Sequence, residues 1–182
     1  MRQSAQNCAI APLLTQPFGL RLADVDSHGC GSDFPHIDVS NVVLCYLTQK
    51  WFTNTPCVRE VVRAMVRGKK LIALLEHDQS DQHGGCTEAE CIAVLKSHEY
   101  AQRLLGMEQQ VAEWVCEMGE NVRVPTGEEI VEALFSSLVV VWYRLTDFQE
   151  GTLRLIAEEL LTPGSGSRPD GCLNPSLSLI HI

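Results

Sequence analysis

The chain has 182 residues, 45% hydrophobic and 20% charged, with a formal net charge of −9. That length suits one domain with tails, and the composition is too apolar for a disordered chain yet holds no apolar run long enough to span a bilayer. The acidic balance argues against general nucleic-acid binding, which needs a basic face to replace counterions at phosphates.

Residues 1 to 36 carry little pattern. Met1 to Thr15 lacks a charged start followed by a sustained apolar core, so no secretory signal is expected. Phe18 to Val25 reads as a strand with Leu20 and Leu22 alternating, and Asp26 to Pro35 as a Gly, Ser and Asp loop. From Ser40 the signals sharpen. Val42 to Leu47 (VVLCYL) is an unbroken apolar run, β-branched at its start, as in a parallel-sheet strand buried on both faces. Thr55-Pro56 then opens a helix, with Thr as the expected N-cap and Pro where a missing N–H costs nothing. Cys57, Val58, Val61, Val62 and Met65 are expected to face a core, with Arg59, Glu60, Arg63 and Arg67 on the wetter side. Gly68 is placed to end that helix in the left-handed conformation, and Leu71 to Leu75 reads as a second buried strand.

Further along, Thr87-x-x-Glu90, Thr126-x-x-Glu129 and Asp147-x-x-Glu150 match the capping box or its Asp variant. The spacing predicts a helical stretch from Thr87 to about Glu120, broken at Gly106, and a short helix after Pro125-Thr126. Leu138 to Tyr143 is the third expected strand, and Asp147 to Leu161 a closing amphipathic helix with Leu153, Ile156, Ala157, Leu160 and Leu161 inward. Strand alternating with helix throughout is the doubly wound α/β signature. The eight cysteines include no C-x-x-C, and several fall inside predicted core elements. They read as reduced thiols of a cytosolic protein, since a chain with this much apolar core needs no staples.

The string S-N-V-V-L-C-Y-L-T-x-x-W-F-x-N-T-P-C-V-R-E-V-V-R-A resembles the middle of a TIR domain (the Toll and interleukin receptor family). In that family a buried strand ends in Ser or Thr, an aromatic follows, and then comes S-x-x-C-x-x-E-L. The counterparts are Thr48, Trp51-Phe52, Thr53 or Thr55, Cys57 and Glu60, with Val61 where Leu is usual. K-K-L-I-A-L-L-E-H-D before Gly84-Gly85, and V-V-W-Y-R-L-T-D-F-Q-E-G-T-L-R-L-I-A-E-E-L-L near the C-terminus, resemble a divergent TIR-like group. The resemblance implies a flavodoxin-like, doubly wound parallel sheet in three layers, over residues 37–162. The family's first strand and helix have no counterpart here, so the copy is expected to be incomplete. Gly164 to Gly171 is a Gly/Ser/Pro linker, and Leu177 to Ile182 (LSLIHI) resembles the translation of a transposon-end adapter. Residues 163–182 are therefore expected to be a disordered or artefactual tail.

Enzymatic TIR domains cleave the nicotinamide–ribose bond of NAD+. One carboxylate suffices, because the pyridinium leaves neutral and a nearby anion stabilises the oxocarbenium-like transition state. The resemblance makes Glu60 that carboxylate, with Trp51 or Phe52 placed to stack on a ring, Thr48 at the strand end and Glu76 on ribose hydroxyls. The same residues have plainer readings: Glu60 as one charge on a helix face beside Arg59 and Arg63, Trp51 as a packing residue, and Trp142-x-Arg144 as a covering ring and a partner for an acidic neighbour. No metal is expected: His77, Asp78, Asp81, His83, Cys86 and Cys91 fit no standard zinc spacing and read as a polar loop. NAD+ would be a substrate, and no cofactor is implied. Motifs of NTPases, Rossmann dehydrogenases and α/β-hydrolases are missing from the sequence.

Two functions follow from the resemblance. One is a TIR-like NAD+ nucleosidase, active when copies assemble; a chain extended to supply the first strand is then expected to consume NAD+, and Glu60→Ala to abolish this. The other is a non-catalytic scaffold or adaptor that associates with other TIR-like domains, most simply its own copies. The motif glutamate favours the first, and the absent strand and the Glu60-Val61 pair favour the second. A flavodoxin-like α/β domain of unknown role is a third reading.

Overall fold

A computed structural model describes residues 21–23, 35–116, 123–136, 138–161 and 176–180. Its elements in chain order are β1 (Arg21–Ala23), α1 (Pro35–Val39), β2 (Val42–Leu47), α2 (Thr55–Val66), β3 (Lys70–Glu76), α3 (Glu88–Leu95), α4 (His98–Leu105), α5 (Glu108–Cys116), α6 (Gly127–Phe135), β4 (Val139–Trp142), α7 (Thr146–Leu161) and β5 (Ser176–Ile180). The sheet is parallel throughout, in the order β1-β5-β2-β3-β4. Leu44 stands opposite Ile72, and Leu75 opposite Val141.

Both faces of β2 and β3 are covered, which explains why Val42 to Leu47 and Leu71 to Leu75 are apolar throughout. Val43, Cys45, Leu47, Leu71, Ala73 and Leu75 pack with α2 to α6, through Val58, Val61, Val62, Leu95, Leu104, Ile130 and Leu134. Leu44, Tyr46, Ile72, Leu74, Val140 and Trp142 face the other way, against Leu153 and Ile156 of α7. Each buried Val or Leu contributes about 1.5–3 kcal/mol of transfer free energy. The strand alternation therefore divides the core into two layers on either side of one sheet.

Local chemistry sets the boundaries. Thr87 and Thr126 each accept from the backbone N–H three residues on, and Glu90 and Glu129 return the bond to the cap's own N–H, as their spacing requires. Gly68 has φ of +62°, the left-handed turn that stops α2. Five sequence expectations differ. Asp147 does not cap α7 but lies in its first turn, because the helix already begins at Thr146. The cap of α2 is Asn54 rather than Thr55, with no side-chain cap bond, so Pro56 sits one position deeper. The long helical stretch breaks twice, at Gly106 and also before α4, because Ser97 accepts from the Tyr100 N–H and caps a new helix. Glu60 and Arg63 are buried, not on a wet face. Asp38 of α1 explains the burial of Arg63: it takes Arg63 Nε at 3.0 Å and a terminal nitrogen at 2.7 Å, while Trp114 lies under the guanidinium at 5.2 Å. Finally, Ser176–Ile180 belongs to the segment 163–182 that the sequence assigns to a tail, yet here it forms β5, with Val42 opposite Leu177 and Cys45 opposite Ile180. A strand edge offers free backbone donors and acceptors, and an alternating Ser/Leu segment satisfies them. Leu160 and Leu161, expected to point inward, have side chains outside the described residues; of the loop expected over Asp26 to Pro35, only Pro35 is described, and it opens α1.

Candidate functional site

Parallel strands direct their carboxyl ends to one rim, where loops diverge and ligands bind. Here a cavity of about 790 Å³ opens beside the ends of β3 and β4. Glu76, His77, Asp78, Cys86, Thr87, Glu88 and Tyr143 supply its polar wall, and Leu75, Val139 and Val141 its apolar one. The volume lies within the range of small-molecule sites.

Glu76 is the best-held side chain of the rim. It is fully buried, and each of its oxygens has a donor. Oε2 accepts from the Tyr46 hydroxyl and from Arg144 at 2.6 Å, and Oε1 accepts from the Asp78 N–H at 2.8 Å. Arg144 also reaches the Tyr46 hydroxyl at 3.4 Å. Burial, then the hydrogen bond to Glu76, pushes the Tyr46 phenol up, so it remains a donor. Arg144 thus pairs with an acidic neighbour, as its position after Trp142 suggests. Tyr46 is a site residue with no sequence signal, because an unbroken apolar run conceals which side chain reaches which rim.

The loop after β3 is fixed by close backbone approach. Gly85 donates to the Asp78 carbonyl at 2.7 Å, and a Cβ on it would meet the Glu76 carbonyl oxygen at 2.5 Å, so only glycine fits. Gln49 ties this loop to the one after β2, donating its N–H to Gly84 O at 2.8 Å and its side-chain amide to Gly85 O at 3.2 Å. The backbone N–H of Ser80 and its side chain hold the Asp78 carboxyl below its ordinary value. The His77 ring stacks on Tyr143 at 4.6 Å, and Tyr143 on Phe148 at 5.4 Å. This rim can hold a small polar ligand through carboxylates and a stacked ring.

Of the residues the family resemblance assigns to a site, Glu76 alone lines this cavity, together with His77, Asp78 and Cys86 of the segment read as a polar loop. Thr48 is half-buried at the end of β2, where its carbonyl accepts from the Trp51 N–H at 3.0 Å. Trp51 and Phe52 are buried in the α2 layer and meet edge-on, 5.2 Å apart. Arg103 of α4 clamps their loop through the Thr53 carbonyl at 2.7 Å. Glu60, in the second turn of α2, is 3% exposed. Burial and then the Glu60 charge push the Cys57 thiol up to about 12, and both also raise Cys45. These thiols and Glu60 therefore share one buried neighbourhood beneath α2. Among the described residues, no three or more His, Cys, Asp or Glu gather in a metal-binding group, and no helix is long and apolar enough to cross a membrane.

Comparison with protein-family models, with curated proteins and with solved structures finds no match for this chain.

Proposed function

We propose that the chain is a TIR-like signalling domain of the cytoplasm, flavodoxin-like in its sheet, that acts by associating with domains of its own kind rather than by cleaving NAD+. The burial of Glu60 carries the choice between the two modes. A carboxylate stabilises an oxocarbenium ion only when it lies against the sugar. Glu60 is 3% exposed beneath α2, among thiols, and the rim cavity is lined by other residues. The sheet order supports the TIR-like reading. A flavodoxin-like sheet runs 2-1-3-4-5, with its first strand second in the row. That is the strand the family resemblance lacks, and its position is occupied here by β5.

The association surface is the outer face of α7, and the occupant is a second copy of this chain. Leu145, Phe148 and Leu155 are 65%, 55% and 47% exposed. Phe148 and Leu155 are two helical turns apart on one face, and exposed Gly151 between them leaves room for a neighbour's side chain. Asp147, Glu150 and Arg154 are exposed on the same helix, so antiparallel copies related by a two-fold axis bring opposite charges together. Light scattering across a concentration series tests this. The wild type is expected to approach dimer mass, and Phe148→Asp to remain monomeric with unchanged circular dichroism. A wild type that stays monomeric at high concentration refutes the proposal.

A further inference from the structure

Cys86 and Cys91 stand five residues apart in sequence on either side of a helix start. Cys86 ends the Gly84-Gly85 loop, and Cys91 lies in the first full turn of α3, its N–H bonded to the Thr87 carbonyl at 3.0 Å. Both are free thiols, and their sulfurs are 3.2 Å apart. The two differ in access. Cys86 lines the rim cavity of about 790 Å³, whereas Cys91 is fully buried behind it. Cys86 Sγ lies 3.7 Å from the Leu47 carbonyl, so the pair bridges the end of β2, the loop after β3 and the start of α3.

We propose that Cys86 and Cys91 form a reversible dithiol–disulfide couple, oxidised by hydrogen peroxide that reaches Cys86 through the rim cavity. The hydrogen bond from Cys91 holds the Cys86 thiol below its ordinary value despite burial and the carboxylates of Glu90 and Glu76. The same bond pushes Cys91 up, and Cys86 alone of the two lines the cavity, so Cys86 is the attacking thiolate and Cys91 the resolving thiol. In the first step the Cys86 sulfur attacks one peroxide oxygen and the O–O bond breaks. Hydroxide leaves and takes the proton that Cys86 has lost, giving water and a Cys86 sulfenic acid. In the second step the Cys91 sulfur attacks the Cys86 sulfur and the S–O bond breaks. The departing hydroxide takes the Cys91 proton as a second water. The two sulfurs lose two electrons, and the peroxide gains them.

The approach required is small. A disulfide needs about 2.05 Å between sulfurs. The starting separation is 3.2 Å, and Cys86 follows two glycines, one at φ of +61°. The cross-link ties the cavity's loop to the first turn of α3. Cys45 and Cys57 provide an internal contrast: burial pushes both thiols up, and neither lines the cavity.

Trypsin isolates the couple, because the peptide 71–96 contains Cys86 and Cys91 and no other cysteine. The reduced full chain is treated with equimolar hydrogen peroxide, alkylated, digested and weighed. The proposal expects peptide 71–96 to lose two hydrogens and take up no alkyl group, with dithiothreitol restoring double alkylation. Cys91→Ser is expected to trap Cys86 as a sulfenic acid that binds dimedone, and Cys86→Ser to leave Cys91 unlabelled. A peptide 71–96 that remains doubly alkylated after peroxide overturns the proposal. So does a linkage that forms equally fast in urea, since the native geometry then contributes nothing. A Cys91→Ser chain that folds but takes no dimedone overturns the assigned order of attack. Should either variant fail to fold, the wild-type map in buffer and in urea decides alone.

Discussion

Replacing Arg144 by Met tests whether the rim is built around Glu76. The substitution keeps the side chain's length and apolar stem and removes the guanidinium. Glu76 is fully buried, so its charge then depends on the Tyr46 hydroxyl and the Asp78 N–H. Breaking a fully buried ion pair costs about 3–5 kcal/mol, because an uncompensated charge is left behind. The Arg144 side chain is 38% exposed, so water replaces part of what it supplied. Discounted for that exposure, the expected loss is about 2 kcal/mol. In a chain of this size each kcal/mol shifts Tm by about 2–4 °C, so Tm should fall by about 4–8 °C. Glu76→Gln alone is expected to cost a similar amount, through loss of charge-assisted hydrogen bonds. The double variant should cost less than the two singles together, with a coupling energy of about 1–2 kcal/mol. Urea unfolding followed by tryptophan fluorescence measures all four corners of the cycle. A loss below about 0.5 kcal/mol for Arg144→Met, or additive singles, refutes the idea that Arg144 compensates a buried charge.

Three other outcomes follow from the fold. Thr126→Ala removes one side of a complete capping box and is expected to cost about 1 kcal/mol in urea unfolding, while Thr126→Ser should be nearly neutral. Acid stability carries the mark of Glu129, whose carboxyl is lowered from 4.5 to about 2, first by Arg123 and then by the Thr126 N–H. Because the folded value is the lower one, its contribution is complete above about pH 4.5 and lost as pH falls toward 2. Glu129→Gln should therefore flatten the stability profile in that window and leave the profile above it parallel to wild type. Asp38 has the same sign: burial raises its carboxyl, but the Arg63 and Arg67 bonds outweigh this and hold it below 3.8. Removing residues 163–182 strips β5 from between β1 and β2, so the truncated chain is expected to aggregate through the exposed β2 edge. A truncated chain that stays monomeric with unchanged Tm would mean that β5 adds nothing to the sheet.

Much of the frame can be read from residue order. The run Val42 to Leu47 begins and ends where β2 does, because a two-sided strand allows no polar interruption. The Thr87 and Thr126 caps are equally legible, since each is a local bond between residues three apart. Sequence patterning falls short where a partner comes from far along the chain. Arg63 looks like a surface charge until α1 brings Asp38 over it, and that helix is only five residues long. The Tyr46–Glu76 bond spans thirty residues, and nothing in two consecutive apolar runs marks which positions meet at the rim. Glu60, which stands out by motif, is buried away from the cavity, while Glu76, expected on ribose hydroxyls, lines it.

The most direct measurement concerns that buried carboxylate. Purified wild type and Glu60→Gln, at concentrations where the wild type associates, are incubated with NAD+ while released nicotinamide is quantified and unfolding is followed in parallel. The account predicts no nicotinamide from either protein, and a shifted unfolding midpoint in the variant because Glu60 lies in the core. Nicotinamide released by the wild type and abolished by Glu60→Gln, with the midpoint unchanged, would contradict it.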